Sequence, residues 1–282
     1  MSDHGATAIL ERARVEEIFH DAWAQSIRLE DLLVEESFRS PTAVENRFAL
    51  EALGGPESLR GKRLLDLGCG AGETAVFFAL QGARVAAADV SEHMLRIASA
   101  LATQRGVRLE PVKILAEAMP FGDDTFDCIY GNGVLHHVEL EPALREVSRV
   151  LRPGGRAVFI EPLSHNPAIK VYRRLAHEVR TPTERPFAFR EFRVVQRYFP
   201  SFQHREFWLT SLGVFLYYYF IERVDPSTDR YWKRIIRDGP RIGPVFRRLH
   251  RLDGLLLRLI PSLRRWCWTT VIVMEKRASD AR

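Results

Sequence analysis

Cysteine is scarce in this chain: three residues in 282, Cys69, Cys128 and Cys267, stand far apart. No Cys-x-x-Cys pair and no Cys/His cluster at zinc spacing occurs, which excludes a disulfide framework and leaves no expected metal site. Met1 to Leu10 lack both the basic start and the apolar stretch of a signal peptide, so a reducing, cytoplasmic location is expected. Nor is there a bilayer-length apolar run. The uncharged segment Phe207 to Ile221 has 15 residues between Glu206 and Glu222, against about 20 for a spanning helix, and is read as buried or interfacial. Internal repeats and low-complexity tracts are absent. The surplus of one charge is small, 41 Lys plus Arg against 36 Asp plus Glu, for a net +5. With 46% apolar and 27% charged residues, disordered, collagen-like and coiled-coil classes are excluded. The length allows one large domain or a core with an insertion.

The small net charge is unevenly spread. Arg230 to Arg265 holds eleven basic residues against Asp238 and Asp253. Within it Ile242, Val245, Phe246, Leu249, Leu252, Leu256 and Leu259 recur at helical spacing, which predicts a basic amphipathic helix or helix pair. Residues 6–38 are charged and helix-friendly, with Ile18, Trp23, Ile27, Leu32 and Leu33 as the expected apolar face. From Arg63 onward short apolar runs alternate with helical patterns. Strands are expected at Arg63–Leu67, Arg84–Ala88, Val107–Leu115, Phe126–Tyr130 and Arg156–Ile160. Helices are expected at Glu73–Gln81, from the N-cap Ser91 onward, and at Pro142–Leu151. Such alternation means a parallel sheet with helices on both faces. Phe202–Leu209 and Trp268–Met274 are the remaining strand candidates, with the insertion between them.

The sharpest feature is Leu64-Leu65-Asp66-Leu67-Gly68-Cys69-Gly70-Ala71-Gly72, a strand running into glycines and then a helix. Glycines let the backbone approach a ligand closely, and a helix start offers free N–H groups to an anionic group. A dinucleotide fingerprint needs Gly-x-Gly-x-x-Gly. Here Glu73 stands where its third glycine belongs, so a tighter loop is implied.

With five further stretches in order, this loop resembles the class I S-adenosylmethionine-dependent methyltransferases, in their small-molecule (type 11-like) branch, over about residues 61–162. The stretches are Asp89-Val90-Ser91, Ala116-Glu117-Ala118-Met119-Pro120-Phe121, Phe126-Asp127-Cys128-Ile129, Val134-Leu135-His136-His137 and Leu151-Arg152-Pro153-Gly154-Gly155. The resemblance implies a doubly wound, Rossmann-like α/β fold with seven strands ordered 3-2-1-4-5-7-6. It implies an N-terminal helical cover (1–60), a cofactor-binding core (61–210 and 266–277) and a basic, aromatic helical insertion (211–265). S-adenosylmethionine is the implied methyl donor, and S-adenosylhomocysteine the product. The loop around Asp66, Gly68, Gly70 and Gly72 would cradle its methionine part, Asp89 would accept from both ribose hydroxyls, and Val90 and Met94 would sandwich the adenine. Relatives commonly carry Asp-Ala before the Glu-Ala-Leu-Pro-Phe-like stretch, and the position of that Asp is Leu115 here. Adenine recognition then shifts to Ala116 or Glu117, and Asn132 is placed with the cofactor.

Methyl transfer rests on positioning, with a general base added where the acceptor carries a proton. Candidates at the ends of strands four and five are His136, taken first, then Glu161 and His165, with His137 beside them. The expected acceptor is a small apolar or amphiphilic metabolite methylated on oxygen. Nitrogen or carbon of a lipid- or isoprenoid-type anionic substrate, and a non-catalytic cofactor-binding accessory role, stay open. Nucleic acid is not expected, because Gly131-Asn132-Gly133-Val134 replaces the Asn/Asp-Pro-Pro-Tyr/Phe of base-amine methyltransferases. For residues 230–265 three readings stand: a solvated face closing the acceptor pocket, peripheral contact with an anionic membrane, or a grip on an anionic substrate.

Overall fold

The computed structural model describes residues 3–277. Helix α1 (Asp3–Ala24), a short α2 (Glu36–Arg39) and α3 (Val44–Ala52) precede the sheet. Then follow β1 (Arg63–Leu67), α4 (Glu73–Leu80), β2 (Arg84–Asp89), α5 (Glu92–Gln104), β3 (Leu109–Lys113), β4 (Phe126–Asn132), α6 (Leu140–Val150) and β5 (Leu151–Pro162). The last part holds α7 (Pro167–Leu175), α8 (Phe192–Tyr198), β6 (Gln203–Phe207), α9 (Gly213–Phe220), α10 (Tyr231–Arg237), α11 (Gly239–Leu259) and β7 (Thr269–Glu275).

The seven strands are ordered β3-β2-β1-β4-β5-β7-β6. The first five are parallel, and β7 runs antiparallel to both β5 and β6. Side chains alternate between two apolar layers, as strand geometry demands. Leu64 of β1 joins the layer of Phe77, Leu95, Trp208 and Phe246, whereas Leu65 and Leu67 join that of Leu144, Val147 and Phe192. A sheet covered on both faces explains why β1 and β2 read as continuous apolar runs. Ser91 caps α5, its hydroxyl accepting from Met94 N at 3.1 Å.

Three local expectations are corrected. Strand β5 starts at Leu151, not Arg156, because Leu151 already pairs with Phe126 across a register shift. Ile18 is 60% exposed: the face that α1 turns inward carries Ile9, Arg12, Glu16 and Trp23, a partly polar stripe that does not read as amphipathic. On α11, Ile242 and Phe246 are buried, but Val245, Leu252 and Leu259 are exposed.

One buried carboxylate anchors α11. Asp253 is buried and accepts from Leu209 N, Thr210 N, Thr210 Oγ1, Ser211 N and Ser211 Oγ, which fixes α11 against the chain leaving β6. At the other end of the same helix pair, Glu222 meets Arg241 at 2.5 Å. The segments flanking α9 are therefore tied to opposite ends of α11, which runs the other way.

Candidate active site

A cavity of about 430 Å³ opens at the carboxyl ends of the parallel strands, beneath α1 and α10. In doubly wound sheets this end carries the ligand.

The loop after β1 forms its floor, and its three glycines do different work. Gly68, Gly70 and Gly72 all have positive φ, at 68°, 52° and 85°. A Cβ on Gly68 would stand 2.4 Å from Val134 Cγ2, and one on Gly72 would stand 2.5 Å from Ala98 Cβ and 2.8 Å from Ala98 Cα. Those two are required by packing of the loop and of α4 on α5. At Gly70 a Cβ would meet nothing within 4 Å, so only its backbone conformation and the open cavity constrain it. Asp89, at the tip of β2, accepts from Gly70 N through Oδ2 (2.8 Å) and from Ser91 N through Oδ1 (2.9 Å). Val90, Ala116, Glu117 and Asn132 also line the cavity. Burial raises the Glu117 carboxyl even though Glu139 N donates to it at 2.8 Å. Asn132 donates to Asn46 Oδ1 at 3.4 Å.

Four expected site residues are not in the wall: Gly72, held against Ala98, and three others. Asp66 is buried behind the loop, where Thr74 donates to it at 2.6 Å. Burial pushes its carboxyl up to about 7, with a further contribution from Asp89. Met94 is fully buried and packs with Ala24 and Ala71 rather than on the cavity surface. His165 is exposed and turned outward, its Nε2 accepting from Phe189 N at 3.4 Å.

His136 and Glu161 are inside and in contact. Glu161 is fully buried; its Oε1 accepts from Val134 N (3.0 Å) and Leu135 N (2.8 Å), and its Oε2 lies 2.7 Å from His136 Nδ1. The other ring nitrogen, Nε2, is 3.5 Å from Glu184 Oε2. Burial opposes charge on this ring, but the two carboxylates outweigh it and raise its pKa. Glu184 is partly buried, yet His136, Arg180 and Arg173 hold its carboxyl down to about 2. His136 is thus clamped, with a carboxylate facing each ring nitrogen.

His137 is different. Its ring lies 4.0 Å from that of His136, its Nδ1 is 3.0 Å from Glu16 Oε1, and no described residue bonds its Nε2. Burial, then the neighbouring His136 charge, lowers its pKa. A neutral ring donating Nδ1–H to a carboxylate presents an acceptor nitrogen, the arrangement of a general base and its orienting partner. Glu16 is held in turn by Thr181 (2.8 Å) and by Thr183. His136, His137 and Glu184 also offer ligand atoms within 4.8 Å of one another, but Glu184 already serves two arginines.

Sequence reasoning missed Glu16, Glu45, Thr181 and Glu184, and named Arg230 only as one of the basic residues of 230–265; all five are in the cavity wall. Glu45, which accepts from Trp208 Nε1 at 3.0 Å, is pushed up to about 7 by burial. None sits in a motif, and Glu184 lies in the turn-rich stretch Thr181-Pro182-Thr183-Glu184-Arg185-Pro186. For Glu16 the signal was the repeated charge along α1, and for Arg230 the basic stretch that it opens.

Residues 65–159 match the family model described as a methyltransferase domain. Over that region the chain is similar to methyltransferase domains. Among curated proteins it is similar to the ubiquinone/menaquinone biosynthesis C-methyltransferase UbiE of Yersinia enterocolitica, 37% identical over 153 residues. That match covers 52% of this chain and 58% of the relative. The fold is shared with the YcgJ protein of Bacillus subtilis, with a TM-score of 0.54 at 20% identity, covering 82% of this chain and 100% of that one. It is shared too with geranyl diphosphate C-methyltransferase of Streptomyces coelicolor A3(2), solved with Mg2+, geranyl diphosphate and S-adenosyl-L-homocysteine. The TM-score there is 0.55 at 17% identity, covering 83% of this chain and 79% of that one.

Proposed function

We propose that this chain transfers the methyl group of S-adenosylmethionine to a small apolar or amphiphilic acceptor, and that the methylated atom is carbon rather than the oxygen first expected. The relatives' names support carbon, UbiE and geranyl diphosphate methyltransferase both being C-methyltransferases. The observation that carries methyl transfer to a proton-bearing acceptor is the Glu16–His137 pair on the cavity wall, and the choice of carbon rests on the relatives. A carbon nucleophile must lose a proton, from an enol or phenol before transfer or from carbon after it.

The donor fits the residues present. Gly70 leaves its backbone accessible, and Asp89 keeps a second lone pair on each carboxylate oxygen for ribose hydroxyls. When bound, S-adenosylmethionine supplies an electrophilic methyl on a sulfonium. Val90, Leu115 and Ala116 offer an apolar edge for the adenine, with Glu117 beside it. His137 Nε2 receives the acceptor's proton, Glu16 steadies the resulting imidazolium, and His136 stays fixed between Glu161 and Glu184 to set the geometry. The methyl–carbon bond forms as the carbon–sulfur bond breaks, so the acceptor loses one proton for each methyl gained.

The test is incubation of the protein with methyl-deuterated S-adenosylmethionine and pools of isoprenoid quinone precursors and prenyl diphosphates, with products read by mass spectrometry and NMR. A deuterated C–CH3 group is expected. A label appearing only as O–CH3 or N–CH3 would reject the carbon assignment, and cofactor binding without any labelled product would reject the enzyme reading.

A specific surface favours a second property, contact with an anionic lipid bilayer. Leu216, Phe220 and Ile221 at α9, and Val245, Leu252, Leu255 and Leu259 on α11, are exposed. Interleaved with them, Arg247, Arg248, Arg251 and Arg258 are exposed and make no ion pair among the described residues. Apolar side chains among unpaired cations are what an interfacial helix presents to anionic headgroups. No described helix is long and apolar enough to cross a membrane.

A further inference from the structure

Among the cations around the cavity, Arg230 has no counter-charge. Lys233 pairs with Glu73 at 2.8 Å, Arg180 with Glu184 at 3.3 Å and Arg12 with Glu139 at 2.5 Å. The Arg230 side chain makes no hydrogen bond or ion pair with any described residue, and its Nε is buried without a partner. Its guanidinium lies 3.5 Å from the centre of the Trp23 ring and 5.9 Å from that of Trp232. Burial pushes its pKa down to about 10. A cation withdrawn from water with only ring faces for company is costly unless an anion completes it.

The surroundings supply the rest of a binding site. Arg180 lies 5.5 Å from the Trp232 ring centre and Lys233 5.7 Å from that of Trp23, so three cations gather about two indoles. All five side chains line the one cavity. Two carboxylates, Glu184 and Glu73, already answer two of the three charges. One remains.

We propose that Arg230, flanked by Lys233 and Arg180, is the anion subsite of this cavity and binds a carboxylate or phosphate group carried by one of the two reactants. The insertion then has a purpose in the site: α10 begins at Tyr231, so the segment between β6 and β7 delivers Arg230 onto Trp23 of α1. Planar guanidinium with free N–H groups takes either oxyanion in a forked geometry. Two sources fit that chemistry, the carboxylate of the methyl donor and an anionic headgroup on the acceptor. The inference deepens the methyl-transfer reading by assigning a charged group to one reactant.

The test uses the full chain, Arg230→Gln and Arg230→Lys, with thermal melting to confirm folding. Calorimetry measures S-adenosylhomocysteine, 5′-methylthioadenosine, which lacks the amino-acid part, and inorganic pyrophosphate added to protein already loaded with S-adenosylhomocysteine. If the donor's carboxylate is the ligand, Arg230→Gln weakens S-adenosylhomocysteine about tenfold or more and leaves 5′-methylthioadenosine unchanged. If the acceptor's headgroup is the ligand, pyrophosphate binds the loaded wild type, binding falls about tenfold in Arg230→Gln, and Arg230→Lys recovers part of it. Unchanged affinity for all three probes in a folded Arg230→Gln protein overturns the subsite and leaves Arg230 as a clamp on Trp23. Should the wild type bind no S-adenosylhomocysteine, the methyltransferase reading fails, and the pyrophosphate titration on unloaded protein still decides the subsite: loss in Arg230→Gln supports it, and no binding by wild type rejects it.

Discussion

At the scale of single residues, two histidines adjacent in sequence have opposite electrostatics. Burial alone would keep both neutral, but His136 lies between Glu161 and Glu184 and is raised, whereas His137 feels that charge and is lowered. His137→Ala should therefore reduce kcat by about 10²- to 10⁴-fold with cofactor affinity nearly unchanged, and His136→Ala should lower stability and turnover together. Single-turnover kinetics beside S-adenosylhomocysteine calorimetry separates the two; full turnover in His137→Ala would remove it as the base. The pH profile carries the same sign. A base whose folded pKa lies below its ordinary 6.5 gives activity that holds above pH 6.5 and falls on an acid limb below it. His137 also withdraws stability there, since the unfolded ring takes a proton more readily. A limb centred above 6.5 in the kcat/KM profile would point to His136 instead.

The glycine loop gives a second residue-scale prediction. Gly72→Ala places a Cβ 2.8 Å from the α5 backbone at Ala98, and should cost about 1–3 kcal/mol of stability from overpacking in addition to conformational strain. Gly70→Ala meets no neighbour, so it should cost only about 1–2 kcal/mol of left-handed strain while weakening S-adenosylhomocysteine. Urea unfolding and calorimetry on both variants check the contrast. Equal stability losses would mean that the loop's glycines are not divided between packing and ligand.

At the scale of elements, the insertion holds to the core through polar bonds as well as apolar contacts. Asp253 is 2% exposed and satisfies donors from Leu209, Thr210 and Ser211. Asp253→Ala takes the carboxylate from the Leu209, Thr210 and Ser211 amides and the buried Ser211 hydroxyl, and a loss of about 3 kcal/mol is expected. Limited proteolysis should then cut between β6 and β7 before the core. A variant as stable and as resistant as wild type would show that α11 is held without Asp253, by contacts such as Ile242 and Phe246.

At the scale of the whole molecule, charge is divided. The basic stretch 230–265 contrasts with a remainder that is net acidic, since the chain as a whole carries only +5. Bilayer contact should thus be one-sided and salt-sensitive. The chain should sediment with vesicles containing phosphatidylglycerol and stay in solution with pure phosphatidylcholine, and replacing Arg247, Arg248 and Arg251 by Gln should release it. Binding that ignores salt and lipid charge would leave the apolar face of α9 and α11 for another partner.

What the sequence by itself determined is what depends on neighbours along the chain: the strands and helices from β1 to β5, the glycine loop, Asp89 at a strand tip and the cap at Ser91. Each follows from a local apolar run, a backbone conformation or a short spacing, so no distant contact was needed to read it. Tertiary structure alone decided which charges meet. His136 and His137 look alike in sequence, and Glu16, Glu184 and Arg230 sit in stretches rich in similar charges, far apart along the chain. Folding brings Glu16 to one histidine and Glu184 to the other, and leaves Arg230 on two indoles without a carboxylate. Desolvation and pairing depend on what lies within a few ångströms in space, and that distance is not written in any short stretch of residues.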